Sequence, residues 1–160
     1  MLMHGPVGRF GLALLVLLLD QATKVWAEAA LGYGQPVVLL PFLNLTLVYN
    51  LGAAFSFLAD AGGWQRSFFI VLSSAVSLVL VVWIWRLPPG ARLLGGALAL
   101  VLGGAVGNLV DRLAYGHVID FIDLHAGGWH WPAFNVADSA ITCGVLLLLF
   151  DGLRGGHDRR

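Results

Sequence analysis

Asp120 and Asp138 are the residues of this chain best suited to chemistry, because each is a carboxylate set beside apolar sequence. An ionisable group near hydrocarbon depth is costly, so such groups tend to face a cavity and mark a functional site. Two carboxylates that meet in space cannot both ionise cheaply; a shared proton leaves one acid and one base, the combination that activates water. Asn135-Val-Ala-Asp138 has the form of a helix N-cap followed three residues on by an acid, which stabilises a helix start. Capping alone accounts for both residues and does not exclude catalysis. A carboxylate near a helix N-terminus is biased toward its ionised form, and one on an apolar face toward its protonated form. Asp138 is therefore expected to be the base and Asp120 to hold the shared proton, the pair titrating as a unit.

Other polar residues cluster in the same parts of the sequence. Asp20 and Lys24 are four apart, on one helix face and in the acid-before-base order that favours an ion pair; structural pairing and a direct catalytic role both remain open. Gly104, Asn108 and Arg112 recur every four residues, with Gly103, Gly107 and Asp111 on the neighbouring face. Glycines at that spacing let another helix approach closely. Packing with a snorkelling arginine, or a polar pocket lined by Asn108 and Arg112, fits the pattern equally. His117, His125 and His130 beside Asp123 make a weak metal signal, since no H-E-x-x-H is present. Ser139 lacks a G-x-S-x-G context, so nucleophilic catalysis is not expected.

The elements that must position these residues follow from composition. With 160 residues, 59% hydrophobic and 11% charged, the chain lies outside the balance of soluble domains. Four apolar stretches, about 7–26, 67–85, 93–110 and 133–153, approach the ~20 residues that cross a bilayer. The expectation is one membrane domain over residues 1–160: an all-α polytopic protein of four transmembrane helices. Net charge is zero and no basic run stands out, which argues against nucleic acid. The lone Cys143 excludes an internal disulfide. Arg9, an apolar run and Ala27-Glu28-Ala29 resemble a cleavable signal, but Asp20 and Lys24 intervene, and the first helix is expected to be retained.

Arg9, Arg86, Arg92, Arg154, Arg159 and Arg160 fall on one side of the predicted helices, and Lys24, Arg66 and Arg112 on the other. The positive-inside rule then puts both termini in the cytoplasm. The tryptophans fall at predicted segment ends, as an aromatic belt requires. The middle and cytoplasmic halves of the helices carry no ionisable residue, which argues against a transporter or channel. Alternation about 37–50 and 117–125 predicts strands forming a small outer sheet against the membrane. In the second strand Asp120 shares its face with Val118, Ile122 and Leu124, and Asp123 sits among histidines. Asp120 is expected to be shielded and Asp123 solvated.

Four blocks in this order resemble the lipoprotein signal peptidase (signal peptidase II) family. They are Asp20-Gln-Ala-Thr-Lys24; Asn50-Leu-Gly-Ala-Ala-Phe55-Ser56; Gly103-Gly-Ala-Val-Gly-Asn108-Leu-Val-Asp111-Arg112 continuing to Gly116-His-Val-Ile-Asp120-Phe121; and Phe134-Asn135-Val-Ala-Asp138. The resemblance implies a four-helix membrane aspartyl endopeptidase with a small periplasmic-side β-element. Such an enzyme cleaves diacylglyceryl-modified prolipoproteins before the lipidated cysteine, in the bacterial cytoplasmic (inner) membrane with its active site at the outer face. It implies Asp120 and Asp138 as the catalytic dyad. Asn50, Gly52, Gly104, Asn108, Arg112 and Asn135 become substrate-site positions, and Asp20, Lys24 and Asp111 structural polar ones. No metal or cofactor is implied; prolipoprotein substrates and membrane lipids are the partners, and one copy is expected to suffice. The signal helix would occupy a groove lined by Gly104 and Gly107, and the variable loop from Ala59 to Trp64 is a candidate lid. The competing class is a non-catalytic membrane assembly or partner-binding protein, whose polar cluster docks a partner.

Overall fold

The computed structural model describes residues 5–52 and 64–155. The expected lid from Ala59 onward therefore lies, up to residue 63, outside the described residues, as do Arg159 and Arg160. Four long helices, α1 (Pro6–Ala30), α2 (Trp64–Arg86), α3 (Arg92–Ala114) and α4 (Val136–Gly155), are long and apolar enough to cross a membrane. Strands β1 (Val37–Leu40), β2 (Leu43–Asn50), β3 (Val118–Ala126) and β4 (Trp129–His130) form an open antiparallel sheet in the order β1-β2-β3-β4. The architecture is an all-α polytopic membrane protein with a small sheet at one end.

Helix α3 is the hub. Of its apolar span 56% is buried, against 28%, 17% and 11% in α1, α2 and α4. Its small residues explain this, because each takes a neighbour's backbone where a side chain would stand. A Cβ on Gly103 would lie 2.6 Å from the Ala13 carbonyl oxygen of α1. One on Gly104 would collide with the Ala137 carbonyl of α4. Helix α4 reciprocates at Gly144, where a Cβ would lie 2.7 Å from the Ala97 carbonyl oxygen of α3. The groove expected for a signal helix at Gly104 and Gly107 is thus filled by α4 and by Asp20 of α1. Glycine spacing announces close approach without saying which helix approaches.

At the end of the bundle away from the sheet, Arg9 departs from expectation. It is a fully buried residue inside α1. Its guanidinium donates to the carbonyls of Ile84 (3.4 Å), Leu87 (3.1 Å), Pro88 (2.7 Å) and Ala91 (3.5 Å). The last carbonyls of a helix need donors from outside it, and the turn after α2 contains Pro88 and Pro89, which have no N–H to give. Arg9 supplies them. The half of the bundle away from the sheet, expected to carry no ionisable residue, therefore does hold one, spent on closing the α2–α3 turn.

Two further expectations change. Helix α4 begins at Val136 rather than near 133, because Phe134 is bridged to Ile122 of β3: its N–H donates to the Ile122 carbonyl at 3.0 Å and its carbonyl accepts from Ile122 at 2.9 Å. Trp129 and Trp131 belong to the β3–β4 hairpin and its exit, not to a helix end, although all six tryptophans are exposed.

Candidate active site

The Ile122–Phe134 bridge is what brings the two acids together. It pins the segment two residues beyond Asp120 to the residue just before Asn135, so that the start of α4 lies against β3. Asn135 then touches both acids. Its Nδ2 donates to Asp120 Oδ1 at 2.7 Å, its backbone N–H reaches Asp138 Oδ2 at 3.3 Å, and its Oδ1 accepts the Asp138 N–H at 2.9 Å. The last two bonds form the reciprocal cap predicted from Asn135-Val-Ala-Asp138. The side chain is completely buried and also donates to the Ile119 carbonyl at 3.2 Å.

Strand register brings the next partner. Asn50 pairs with Val118 and Val48 with Asp120, so Asn50 is a diagonal neighbour of Asp120 on one face. Its Nδ2 donates to Asp120 Oδ2 at 3.0 Å. Its Oδ1 accepts the Gly52 N–H at 2.9 Å, bending the chain so that the Gly52 carbonyl accepts from Arg112 Nη2 at 2.9 Å. Arg112 is further held by the Asn108 carbonyl at 3.3 Å and lies over the Phe69 ring, 5.2 Å from its centroid. A guanidinium over an aromatic face is attracted by the ring quadrupole.

Beneath the acids is a second charged cluster. Lys24 Nζ lies 2.8 Å from Asp20 Oδ2 and 2.7 Å from Asp111 Oδ2, all three buried, and donates to Asn108 Oδ1 at 2.9 Å. Asn108 Nδ2 donates to Asp138 Oδ1 at 2.8 Å. The other oxygen of Asp20 accepts the Ala137 N–H at 2.9 Å, across 117 positions, where a helix N-terminus favours an anion. Asp111 also accepts the Ile119 N–H at 3.2 Å, tying β3 to α3.

The two acids differ in setting. Asp120 is 2% exposed; burial, and after it the charge of Asp138, pushes its carboxyl up to about 7, against the opposing pull of Asn50, Lys24 and Asn135. Asp138 is only half-buried. It opens onto a cavity of about 440 Å³ whose wall includes Leu124, Trp131, Phe134, Ile141 and Thr142, within the size range of ligand pockets. One buried acid of raised proton affinity beside a second acid facing a cavity can hold and activate water.

Of the sequence-predicted residues, Asn50, Gly52, Asn108, Arg112, Asn135, Asp120 and Asp138 come together, with Asp20, Lys24 and Asp111 directly below. Gly104 does not join them; it packs on α4. Asp123 is buried rather than solvated, accepting hydrogen bonds from His130 Nδ1 (2.8 Å), Asn44 Nδ2 (3.3 Å) and Thr46 Oγ1 (3.2 Å). Burial raises its proton affinity, but those bonds outweigh it and hold the carboxyl below the usual range. His117 lies apart, its ring 4.2 Å from that of Tyr49. Sequence reasoning missed three contributors. Gln21 donates to Asp111 Oδ1 at 2.8 Å and the Gly107 carbonyl at 3.3 Å; its place beside Asp20 was the available signal. Phe69 supports Arg112, and Arg66 donates to the Arg112 carbonyl at 3.2 Å and the Leu113 carbonyl at 3.4 Å at the end of α3; nothing local in the sequence marks either.

A family model described as signal peptidase (SPase) II matches residues 12–154. Proteins named lipoprotein signal peptidase from Burkholderia mallei and Paraburkholderia phymatum are each 55% identical over 144 residues, covering 90% of this chain and 86% of theirs. A solved structure described as a bacterial membrane enzyme is similar with a TM-score of 0.85 at 31% identity, over 95% of this chain and 91% of that one. A second, described in the same words, gives 0.76 at 32% identity, over 91% and 92%.

Proposed function

The chain belongs to the signal peptidase II family, and from that premise we propose that it is a membrane aspartyl endopeptidase removing signal peptides from diacylglyceryl-modified prolipoproteins. The observation that carries this reading is Asn135, one buried residue bonded to both Asp120 and Asp138. The two acids share one proton. A water from the cavity is placed between them; the ionised acid accepts its proton as oxygen attacks the scissile carbonyl before the lipidated cysteine, and the protonated acid donates a hydrogen bond to that carbonyl. Collapse of the tetrahedral intermediate needs a proton on the departing amine, which the pair returns. Metal and cofactor have no part in this scheme.

Position supplies specificity. A substrate anchored by its lipid presents its cysteine near headgroup height, and the acids lie where the helices meet the sheet. Pre-orientation of this kind lowers a barrier by roughly 7–11 kcal/mol at its upper end. The sheet end is the outer face of the bacterial cytoplasmic membrane, with both termini cytoplasmic. Supporting this, Arg86 and Arg92 lie at the opposite end, as positive-inside topology requires, and the sheet-end cations Lys24, Arg66 and Arg112 are taken up by protein partners. The chain acts as a single membrane domain, and one copy contains every residue invoked.

Replacement of Asp120 or Asp138 by Asn in the full-length protein tests the reading against a diacylglyceryl-modified prolipoprotein peptide. Either change should lower cleavage by about 10²- to 10⁴-fold with the protein still folded and inserted. Cleavage at the wild-type rate by either variant would reject it.

A further inference from the structure

We propose that Lys24 is a positioning residue for the acid pair, acting through the amide of Asn108; this rests on the reading of Asp120 and Asp138 as the catalytic acids. Two carboxylates, Asp20 and Asp111, surround one ammonium, which already neutralises as much as it can. Yet its third proton is spent on a neutral group, Asn108 Oδ1, at 2.9 Å.

That third bond fixes a direction. An ammonium has donors and no acceptor, so the amide must offer it oxygen, and the NH₂ must face the other way. Asn135 Nδ2 donates to the same oxygen at 3.2 Å, and Asn135 is itself oriented by the Asp138 N–H on its Oδ1. The Asn108 NH₂ is left facing Asp138 Oδ1 at 2.8 Å. Turning the amide over would set NH₂ against ammonium and oxygen against carboxylate, two repulsive contacts in a buried site. Charge on α1 thereby determines polarity on α3, and that polarity holds the carboxyl plane of the acid on α4. The Asp20–Lys24 pair thus reaches the reacting groups through one intermediary, without touching them.

The test is a double-mutant cycle in the full-length protein, reading kcat and KM for a diacylglyceryl-modified prolipoprotein peptide. Lys24→Met should lower kcat by about 10- to 100-fold, the scale of one lost hydrogen bond to a charged group, with KM little changed. Asn108→Ala should do the same. The double variant should be no slower than Asn108→Ala, because the lysine has nothing left to orient. Multiplying losses, an effect confined to KM, or an unimpaired Lys24→Met would overturn the inference. Should Lys24→Met fail to fold with two unpaired carboxylates, Lys24→Met combined with Asp111→Asn keeps the cluster's net charge. It should be about 10- to 100-fold slower in kcat than Asp111→Asn alone, and equal rates would overturn the inference. Multiplying losses in a protein that still requires both Asp120 and Asp138 sink the role of Lys24 alone; cleavage that survives loss of either acid sinks the proposed function itself.

Discussion

Replacing Asn135 with serine separates two jobs that the wild-type side chain performs together. Its Oδ1 caps α4 through the Asp138 N–H at 2.9 Å, while its Nδ2 holds Asp120 Oδ1 at 2.7 Å. Serine is about as good an N-cap as asparagine, whereas alanine gives up the cap at a cost of about 1 kcal/mol. Neither reaches Asp120. Removing the donor leaves a buried Asp120 oxygen unsatisfied at a cost of about 1–3 kcal/mol, so both variants should lose about 5- to 150-fold in kcat/KM. The Ile119 carbonyl also loses its donor at 3.2 Å in both. The two proteins should then differ only in thermal stability, by the cap. Cleavage of a diacylglyceryl-modified peptide in micelles, with unfolding followed in the same detergent, reads both quantities. Wild-type turnover by Asn135→Ser would refute the reasoning. So would a much larger kinetic loss in Asn135→Ala, since activity would then follow the helix start and not the amide.

The remaining expectations concern pH and packing. Burial and Asp138 push Asp120 up to about 7, so kcat/KM should fall as pH rises through that value and the shared proton is lost. Asn50 donates to the ionised form and holds the value down, so Asn50→Ala should move this fall to higher pH in a pH–rate profile; a shift to lower pH would contradict the assignment. Gly103→Ala places a methyl group 2.6 Å from the Ala13 carbonyl oxygen and should destabilise the bundle by about 1–3 kcal/mol, seen as a lower Tm; an unchanged Tm would show that α1 can withdraw without cost.

The helices were legible because hydropathy over twenty residues is a local property. So was the cap, because Asn135 and Asp138 are close in sequence. What escaped depended on long-range contact. Alternation predicts a solvated Asp123 because it assumes that one face of a strand meets water; β3 instead lies between β2 and the β4 hairpin, and Val118 to Phe121 are buried on both faces. Arg9 reads from sequence only as a topology marker, because its acceptors are at least 75 positions away. Gly104 announced a close approach without naming the neighbour. The candidate site itself was legible as residue types in order, but its connectivity, in which Asn135 joins the acids and Lys24 backs Asn108, arises from contacts between segments distant in sequence.

The link between Asp20 and the Ala137 amide bears on how the protein is made. Translation delivers α1 first and α4 last, so this carboxylate waits for its final donor until 117 more residues have been added. A nascent chain halted before the last span has neither that donor nor Asp138. Under the proposed mechanism, hydrolytic competence and the completed helical assembly would therefore arrive in the same step, and a partly synthesised copy would be inert toward lipid-anchored precursors around it.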